Sequence, residues 1–296
     1  EMQNVTDIFK NTAFVPFANV IAEGGTIRAI NAKGLAELLT RKTIDKLVDV
    51  AKTYGAKGMA YTRITADAVS SSFEKNLTEE EKNALHTALN AEVGDVLLLV
   101  SDAKRVTACT ALGQVRLEIG RRANLMDPKQ FNFLWVTDFP LFEYSEEEGR
   151  WVAMHHPFTM PTADSLDKVE TDQGSCYADA YDIVLNGVEL GGGSIRVNDP
   201  VLQDRMFKAL GFTEEKARAS FGFLMDAYRY GAPPHGGMAY GLDRMVMLML
   251  GRDSIRDVIA FPKVQNASEL MSGAPDVVDE KQLRDLSIAY VPQEKN

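Results

Sequence analysis

The sequence has little cysteine and histidine, no long apolar run and no excess of positive charge. Its two cysteines, Cys109 and Cys176, are too few for a disulfide framework, and the cysteines and four histidines show no zinc-site spacing. No apolar stretch reaches the length of a membrane span, and no signal-peptide pattern opens the chain. These absences predict a protein of the reducing cytoplasm with no membrane partner.

The balance of charge also narrows the class of protein. The formal net charge is −10, which argues against the whole chain being a general nucleic-acid binder, because phosphate contacts need clustered lysine and arginine. One local basic face is not excluded. The length of 296 residues, with 45% hydrophobic and 25% charged residues, is typical of a globular protein of about two domains.

The first 128 residues show mixed helix and strand patterns. Apolar runs predict strands over Ala13–Val20 and Thr26–Ala32. Thr78 and Glu81 have the spacing of a capping box and so predict the start of a helix. The polar segment Met126–Lys129 then predicts a domain boundary, which divides the chain into residues 1–128 and 129–296.

The pattern changes after that boundary. A long apolar run predicts one strand over Phe133–Phe142. Two further strands, Ala178–Leu185 and Val188–Val197, are separated only by Asn186-Gly187, the dipeptide most typical of a tight hairpin. Strand hairpins flanked by separate helices favour an antiparallel sheet, and therefore an α+β fold.

Two carboxylates are expected on one face of this hairpin. A two-residue loop sets the register so that Leu185 faces Val188 and Val184 faces Glu189. Asp182 then lies on the same face as Glu189 and is its diagonal neighbour. At that spacing the two side chains can approach each other if they converge. Two such carboxylates repel each other unless a cation lies between them, and Mg²⁺ commonly uses one or two carboxylates together with substrate phosphates. The alternative is that both side chains simply face water.

The run Gly191–Gly193 disturbs the alternation of the second strand. Apolar residues occupy even positions before the run and odd positions after it, which a regular strand cannot bury on one side. A bulge at the glycines restores the alternation and brings Arg196 onto the face of Glu189. Arginine suits bidentate binding of a carboxylate or phosphate. The alternative is that the glycines form only a flexible loop.

Two other segments carry polar groups that are typical of sites. His155 and His156 are adjacent at the end of a predicted strand, so one ring is expected on each side of it; a structural role is the alternative. Gly241–Arg244 begins an apolar helix. Arginine in a first turn opposes the helix dipole, and a phosphate bound there would offset that cost. A plain surface arginine is the alternative.

Six segments resemble, in their order, the motifs of class II aminoacyl-tRNA synthetases, and most closely those of the bacterial aspartyl type. They are Trp135–Pro140, Met154–Thr159, Glu189–Arg196, Pro233–Gly237, Gly241–Arg244 and Ile255–Lys263. Residues 1–128 look like the GAD insertion domain, which is also found in the B subunit of tRNA-dependent amidotransferases. The resemblance implies part of a class II antiparallel sheet with flanking helices, beside a smaller α/β insertion domain.

The resemblance also implies an activity and roles for the candidate residues. The activity is that of an aspartate–tRNA ligase, which activates L-aspartate with ATP and Mg²⁺ and transfers it to tRNA(Asp); the full-length protein is expected to be a homodimer. The implied catalytic residues are Arg244 and Glu189, and the implied aspartate-binding residues are His155 and Arg196. The implied ATP-binding residues are Glu189, Gly241, Leu242, Asp243 and Arg244, and the implied metal ligands are Asp182 and Glu189.

The chain also departs from the family pattern. Motif 1, motif 2 with its arginine for the α-phosphate, and the β-barrel that reads the anticodon have no counterpart in the sequence. Their joint absence predicts a fragment that is inactive alone. The alternative is a non-catalytic tRNA-binding or amidotransferase-related module, against which the four retained charged residues argue. These are Asp182, Glu189, Arg196 and Arg244.

Overall fold

The structure is a computed structural model that describes residues 1–291. The chain divides into two compact units, Glu1–Asp127 and Pro128–Asn296, and the division falls within the polar segment Met126–Lys129. Within the described residues, no helix is both long and apolar enough to cross a membrane.

The first unit is built on one antiparallel sheet of five strands in the order β1-β2-β5-β3-β4. Its strands are β1 (Gln3–Asn4), β2 (Thr26–Ala32), β3 (Ala60–Ile64), β4 (Val69–Ser71) and β5 (Val96–Asp102). Its helices are α1 (Val15–Ala22), α2 (Arg41–Thr53), α3 (Glu79–Ala88) and α4 (Arg105–Arg122). The capping box of Thr78 and Glu81 at the start of α3 is confirmed, with both reciprocal hydrogen bonds present.

Helices cover both faces of this sheet. On one face, Ile44 of α2 and Leu112 of α4 are buried against the strands. On the other face, Phe17 of α1 and Leu85 of α3 are buried. The central strand β5 is therefore enclosed on both sides, and Val96–Val100 is fully buried. An unbroken apolar run is what such a doubly covered strand requires.

One predicted element of the first unit is wrong. The strand Thr26–Ala32 is confirmed as β2, but Ala13–Val20 is not a strand, because the chain forms helix α1 over Val15–Ala22. Pro16 lies in the first turn of this helix, where a missing backbone N–H breaks no hydrogen bond. Phe17 and Val20, three residues apart, are both buried. In so short an apolar run, periodicity does not separate a helix from a strand.

The second unit contains a four-stranded antiparallel sheet in the order β13-β12-β11-β6. Its strands are β6 (Phe133–Val136), β11 (Ala180–Leu185), β12 (Val188–Ile195) and β13 (Gly236–Tyr240). Shorter strands form two separate pairs: β7 (Phe139–Pro140) with β10 (Tyr177–Ala178), and β8 (Phe142–Ser145) with β9 (Arg150–Ala153). The helices are α5 (Pro200–Ala209), α6 (Glu214–Arg229), α7 (Leu242–Met249) and α8 (Glu280–Asp285).

The single strand predicted over Phe133–Phe142 is wrong. The chain breaks it into β6, β7 and the start of β8, which belong to three different sheets. The break lies at Asp138, whose φ of 56° is left-handed and cannot continue an extended strand. β6 is an edge strand of the four-stranded sheet in the described part of the chain, and all four of its residues are exposed.

Candidate active site

The hairpin of β11 and β12 has the predicted register. Leu185 pairs with Val188, and Val184 pairs with Glu189. Asn186 and Gly187 both have positive φ, at 50° and 81°, as a two-residue type I′ turn requires. The register confirms that Asp182 and Glu189 lie on the same face as diagonal neighbours.

The bulge is present, but its predicted position within Gly191–Gly193 is wrong. Glu189 pairs with Val184 and Gly191 pairs with Ile183, so Leu190 is the extra residue. Its side chain is buried. The extra residue shifts the alternation as predicted, because Glu189 and Arg196 line the same cleft.

The glycines themselves remain in a regular ladder with β13. A Cβ atom on Gly191 would overlap the carbonyl oxygen of Ala239, and one on Gly193 would overlap that of Gly237. Glycine at these two positions therefore allows the backbone of β13 to approach β12 closely, which is one use of glycine inside a strand. The alternative interpretation, that the glycine run forms only a flexible loop, is wrong.

The cleft-facing side of β12 forms the floor of a cavity of about 580 Å³. Seven of the eight predicted site residues line this cavity, which are His155, Asp182, Glu189, Arg196, Gly241, Asp243 and Arg244. The residues that line it are His155, His156, Asp182, Glu189, Leu190, Gly191, Gly192, Gly193, Ser194, Arg196, Ala239, Tyr240, Gly241, Asp243, Arg244 and Ile255. Leu242 is the one predicted site residue outside this lining; it is 69% exposed, since successive helical side chains point in different directions.

One group of cleft residues is acidic. Burial, and then the negative charge of Glu189, raise the pKa of the Asp182 carboxyl above its ordinary value. A Cβ atom on Gly192 would overlap Asp182 Oδ1, so the absence of a side chain there makes room for the carboxylate. The two acids supply only part of a metal's coordination shell, and no group of three or more metal-binding side chains occurs among the described residues. Mg²⁺ with substrate phosphate and water ligands fits this donor set.

Substituting Asp182 with asparagine is expected to stabilise the 296-residue chain at neutral pH by up to about 1 kcal/mol, the scale of a cross-strand charge interaction. The amide has the same shape and removes the repulsion from Glu189. The gain should disappear as the pH falls through the raised pKa of Asp182, because the wild-type carboxyl then takes up a proton in the folded state. Urea unfolding at several pH values measures the effect. Asp179→Asn, an exposed position on the preceding segment, is the control, and an equal gain there would contradict the explanation.

Arg244 connects the acidic group to helix α7. Its Nη1 donates a hydrogen bond to the Glu189 carbonyl oxygen at 3.1 Å and lies 3.5 Å from the Glu189 carboxylate. The helix begins after Gly241, and no side chain caps its N-terminus. Free backbone N–H groups and a guanidinium therefore occur together at this point of the cleft, an arrangement that favours a phosphate.

The other group of cleft residues is basic. The Arg196 guanidinium contacts the ring of His156, with Nη1 3.2 Å from Nδ1. His155 packs edge-on against Phe139, with ring centroids 5.1 Å apart. The expectation that the adjacent histidines point to opposite sides is wrong, since both line the cleft. Strand β9 ends at Ala153, so strand alternation does not reach either ring.

Several residues that line this cleft have no role predicted from the sequence. Among them, His156 hydrogen-bonds through its side chain to the guanidinium of the predicted site residue Arg196. Ile255 and Tyr240 also line the cleft, and both lie in or beside the segments that carry the family resemblance. The adjacent histidine pair was the only local signal for His156, and it does not tell which ring contacts Arg196.

Comparison with known proteins identifies the family. The family model described as tRNA synthetases class II (D, K and N) matches residues 17–265. The chain belongs to this family. That membership confirms the resemblance found in the motifs, and with it the class II type of mixed helices and antiparallel sheets.

Curated relatives within the family are similar along nearly the whole chain. The aspartate–tRNA ligase of Ruminiclostridium cellulolyticum is 56% identical over 294 residues, which cover 99% of this chain and 49% of that protein. The aspartate–tRNA(Asp/Asn) ligase of Lachnoclostridium phytofermentans is 55% identical over 98% of this chain and 48% of that protein. The one of a Geobacillus species is 51% identical over 100% of this chain and 50% of that protein. The chain thus spans about half the length of the curated relatives it matches.

Proposed function

We propose that this chain supplies part of the active site of an aspartate–tRNA ligase, which activates L-aspartate with ATP and transfers it to tRNA(Asp). The observation that carries the proposal is the charge pattern of the cleft. Asp182, Glu189 and Arg244 form a group suited to a metal–phosphate ligand, and Arg196 offers a positive charge to an acidic side chain. The names of the relatives support aspartate as that acidic substrate.

Activation requires the α-carboxylate of aspartate to attack the α-phosphate of ATP. A bond forms between a carboxylate oxygen and that phosphorus, and the bond to the β-phosphate oxygen breaks, which gives aspartyl-adenylate and pyrophosphate. We propose that Arg196 and His155 hold the side-chain carboxylate so that the α-carboxylate remains free to react. Positioning of this kind accounts for a large part of the catalysis of such reactions.

The phosphate group is proposed to lie at the start of α7. Arg244 would bind phosphate oxygens, with Gly241 and Asp243 lining the nucleotide; Leu242 would contribute only through its backbone. Asp182 and Glu189 would hold Mg²⁺, which when bound neutralises phosphate charge. Arg244 now pairs with Glu189, and the pair has to separate for both side chains to take these roles.

The remaining parts of the proposal concern the whole protein. We propose that residues 1–128 form a GAD-type insertion domain and that residues 129–296 are the C-terminal part of the class II catalytic domain. The full-length protein is proposed to be a homodimer of the cytoplasm.

A chimera tests the activity directly. This chain replaces the matching half of the Ruminiclostridium cellulolyticum enzyme, to which it is 56% identical, and ATP–pyrophosphate exchange is measured with aspartate, asparagine and lysine. We expect exchange with aspartate alone. A folded chimera that exchanges with none of the three would favour a non-catalytic tRNA-binding or amidotransferase-related module.

The 296-residue chain alone is expected to catalyse ATP–pyrophosphate exchange with aspartate far more slowly than the chimera does. Only Arg196 and Arg244 carry a permanent positive charge in the cleft lining, and Arg196 is assigned to aspartate. Removal of one preorganised charge-stabilising donor typically costs about 10²–10³ in rate, so the deficit should be at least that large. Both proteins are assayed at equal concentration and saturating substrates. Comparable rates would show that these residues suffice for activation.

A further inference from the structure

His156 and Arg196 form a pair in the cleft that the proposed function leaves unexplained. Nη1 of Arg196 contacts both ring nitrogens of His156, at 3.2 Å from Nδ1 and more closely at Nε2. Among the described residues, His156 is the only one whose side chain hydrogen-bonds to this guanidinium. The orientation of Arg196 therefore depends on a histidine rather than on a carboxylate.

Hydrogen bonds and packing contacts of its own loop fix the position of His156. Its Nδ1 accepts a hydrogen bond from the backbone N–H of Phe158 at 3.2 Å. The Phe158 ring packs edge-on against Phe221, with centroids 5.1 Å apart. The buried Gln203 donates a 2.9 Å hydrogen bond to the carbonyl oxygen of Pro157. The loop of His156 is thus attached to helices α5 and α6, and the ring can therefore serve as a fixed support for the Arg196 side chain.

The neighbours of the ring determine its protonation. The backbone N–H of Phe158 points at Nδ1, Thr159 Oγ1 lies 3.3 Å from the same nitrogen, and the Arg196 guanidinium faces Nε2. A neutral ring has one unprotonated nitrogen that can accept a hydrogen bond from a donor, whereas a doubly protonated ring has none. The charged and titratable groups that face the ring are Arg196, which follows β12, and His155 on its own loop. Burial, followed by these two charges, lowers the pKa of His156 below its ordinary value, so the ring is neutral at neutral pH.

An arginine without such a support has many rotamers. Fixing its side chain costs conformational entropy, which a substrate would otherwise have to offset on binding. A guanidinium that is already oriented binds a carboxylate in bidentate geometry with less loss. The neutral ring orients Arg196 without neutralising it, whereas a carboxylate in its place would compete with an acidic substrate.

We propose that His156 is a positioning residue, which holds the Arg196 guanidinium in the orientation that receives the side-chain carboxylate of the amino-acid substrate. The inference rests on the proposed function for the identity of that carboxylate. It assigns His156 a specificity role through Arg196 and no contact with the reacting atoms.

The ring pKa of His156 gives the first test, in the 296-residue chain. The sequence has four histidines, so ¹⁵N-histidine spectra can be assigned by single His→Gln variants and followed against pH. Arg196→Gln is expected to raise the pKa of His156, because the adjacent cation is removed. Arg252→Gln, an exposed arginine of the same unit, removes the same charge and should leave it unchanged. An unchanged His156 pKa in Arg196→Gln, or an equal shift in the control, overturns the proposal.

The reciprocal test observes Arg196. Its guanidinium ¹⁵Nε–H resonance, assigned through Arg196→Gln, is expected to shift and to exchange faster with water in His156→Phe, which keeps a ring without nitrogens. His156→Gln retains an acceptor oxygen and should restore part of the protection. An identical Arg196 resonance in the wild type and in His156→Phe contradicts positioning. These spectra do not depend on aspartate exchange, so failure of the chimera to activate aspartate would overturn the proposed function while the His156–Arg196 coupling could still be measured.

Discussion

Substituting Arg196 with leucine is expected to raise the KM for aspartate in the chimera by at least about 30-fold. Loss of one partner of a hydrogen-bonded charge pair costs roughly 2–5 kcal/mol, and each 1.4 kcal/mol corresponds to a factor of ten. Leucine fills similar space along the stem but offers neither charge nor donors. Among the residues that line the cleft, the other permanent cation is Arg244, which contacts Glu189 and is assigned to phosphate.

The same variant should leave the KM for Mg²⁺-ATP nearly unchanged, because its defect lies in the binding of the amino acid. Steady-state exchange with one substrate varied at a time gives both constants. Arg252→Leu removes an exposed arginine of the same unit and is expected to behave as the wild type. Equal increases of both KM values in Arg196→Leu would be incompatible with the assigned role.

Substituting Glu189 with glutamine is expected to reduce exchange at saturating aspartate by about 10²–10³-fold, the loss typical of one preorganised electrostatic group. Glutamine preserves the shape but supplies one neutral oxygen where a cation needs a carboxylate. Glu189 also contacts Arg244, so the substitution disturbs both groups assigned to the phosphate. Asp182→Asn should also reduce the rate of exchange at saturating aspartate.

The measurement for Glu189→Gln is the exchange rate as a function of Mg²⁺-ATP, combined with the KM for aspartate. The aspartate constant should stay close to that of the wild type. Glu215→Gln, at an exposed position of α6, removes the same charge away from the cleft and is the matched control. A normal exchange rate in Glu189→Gln would exclude this carboxylate from the phosphate site.

The hairpin shows how far local sequence determines the site. The Asn186-Gly187 loop sets the register, because two residues with positive φ allow only a tight turn, and the register alone places Asp182 and Glu189 on one face. Counting apolar positions also requires one extra residue in β12. The count of apolar positions does not identify Leu190 as the extra residue, because the pairing of β12 with β13 determines its position. Strand β13 lies some forty residues further along the chain.

The features that the sequence did not predict correctly have a common physical origin, because they depend on contacts between distant segments of the chain. Helix α1 forms where an apolar run predicts a strand, since burial of Phe17 and Val20 against the sheet favours helical spacing. The run from Phe133 is divided because its parts pair with different strands. The contact between His156 and Arg196 joins residues 40 positions apart, so no local pattern could have shown it. Resemblance to a family identified the segments, and the structure identified the contacts.

One cleft is proposed to bind the acidic side chain at Arg196 and the phosphate group at Arg244, Asp182 and Glu189. A crystal structure of the chimera with a non-hydrolysable aspartyl-adenylate analogue tests this arrangement most directly. The structure should show the side-chain carboxylate on the Arg196 guanidinium, with the phosphate mimic at the N-terminus of α7. A ligand bound in the opposite direction, or bound outside this cleft, would contradict the account.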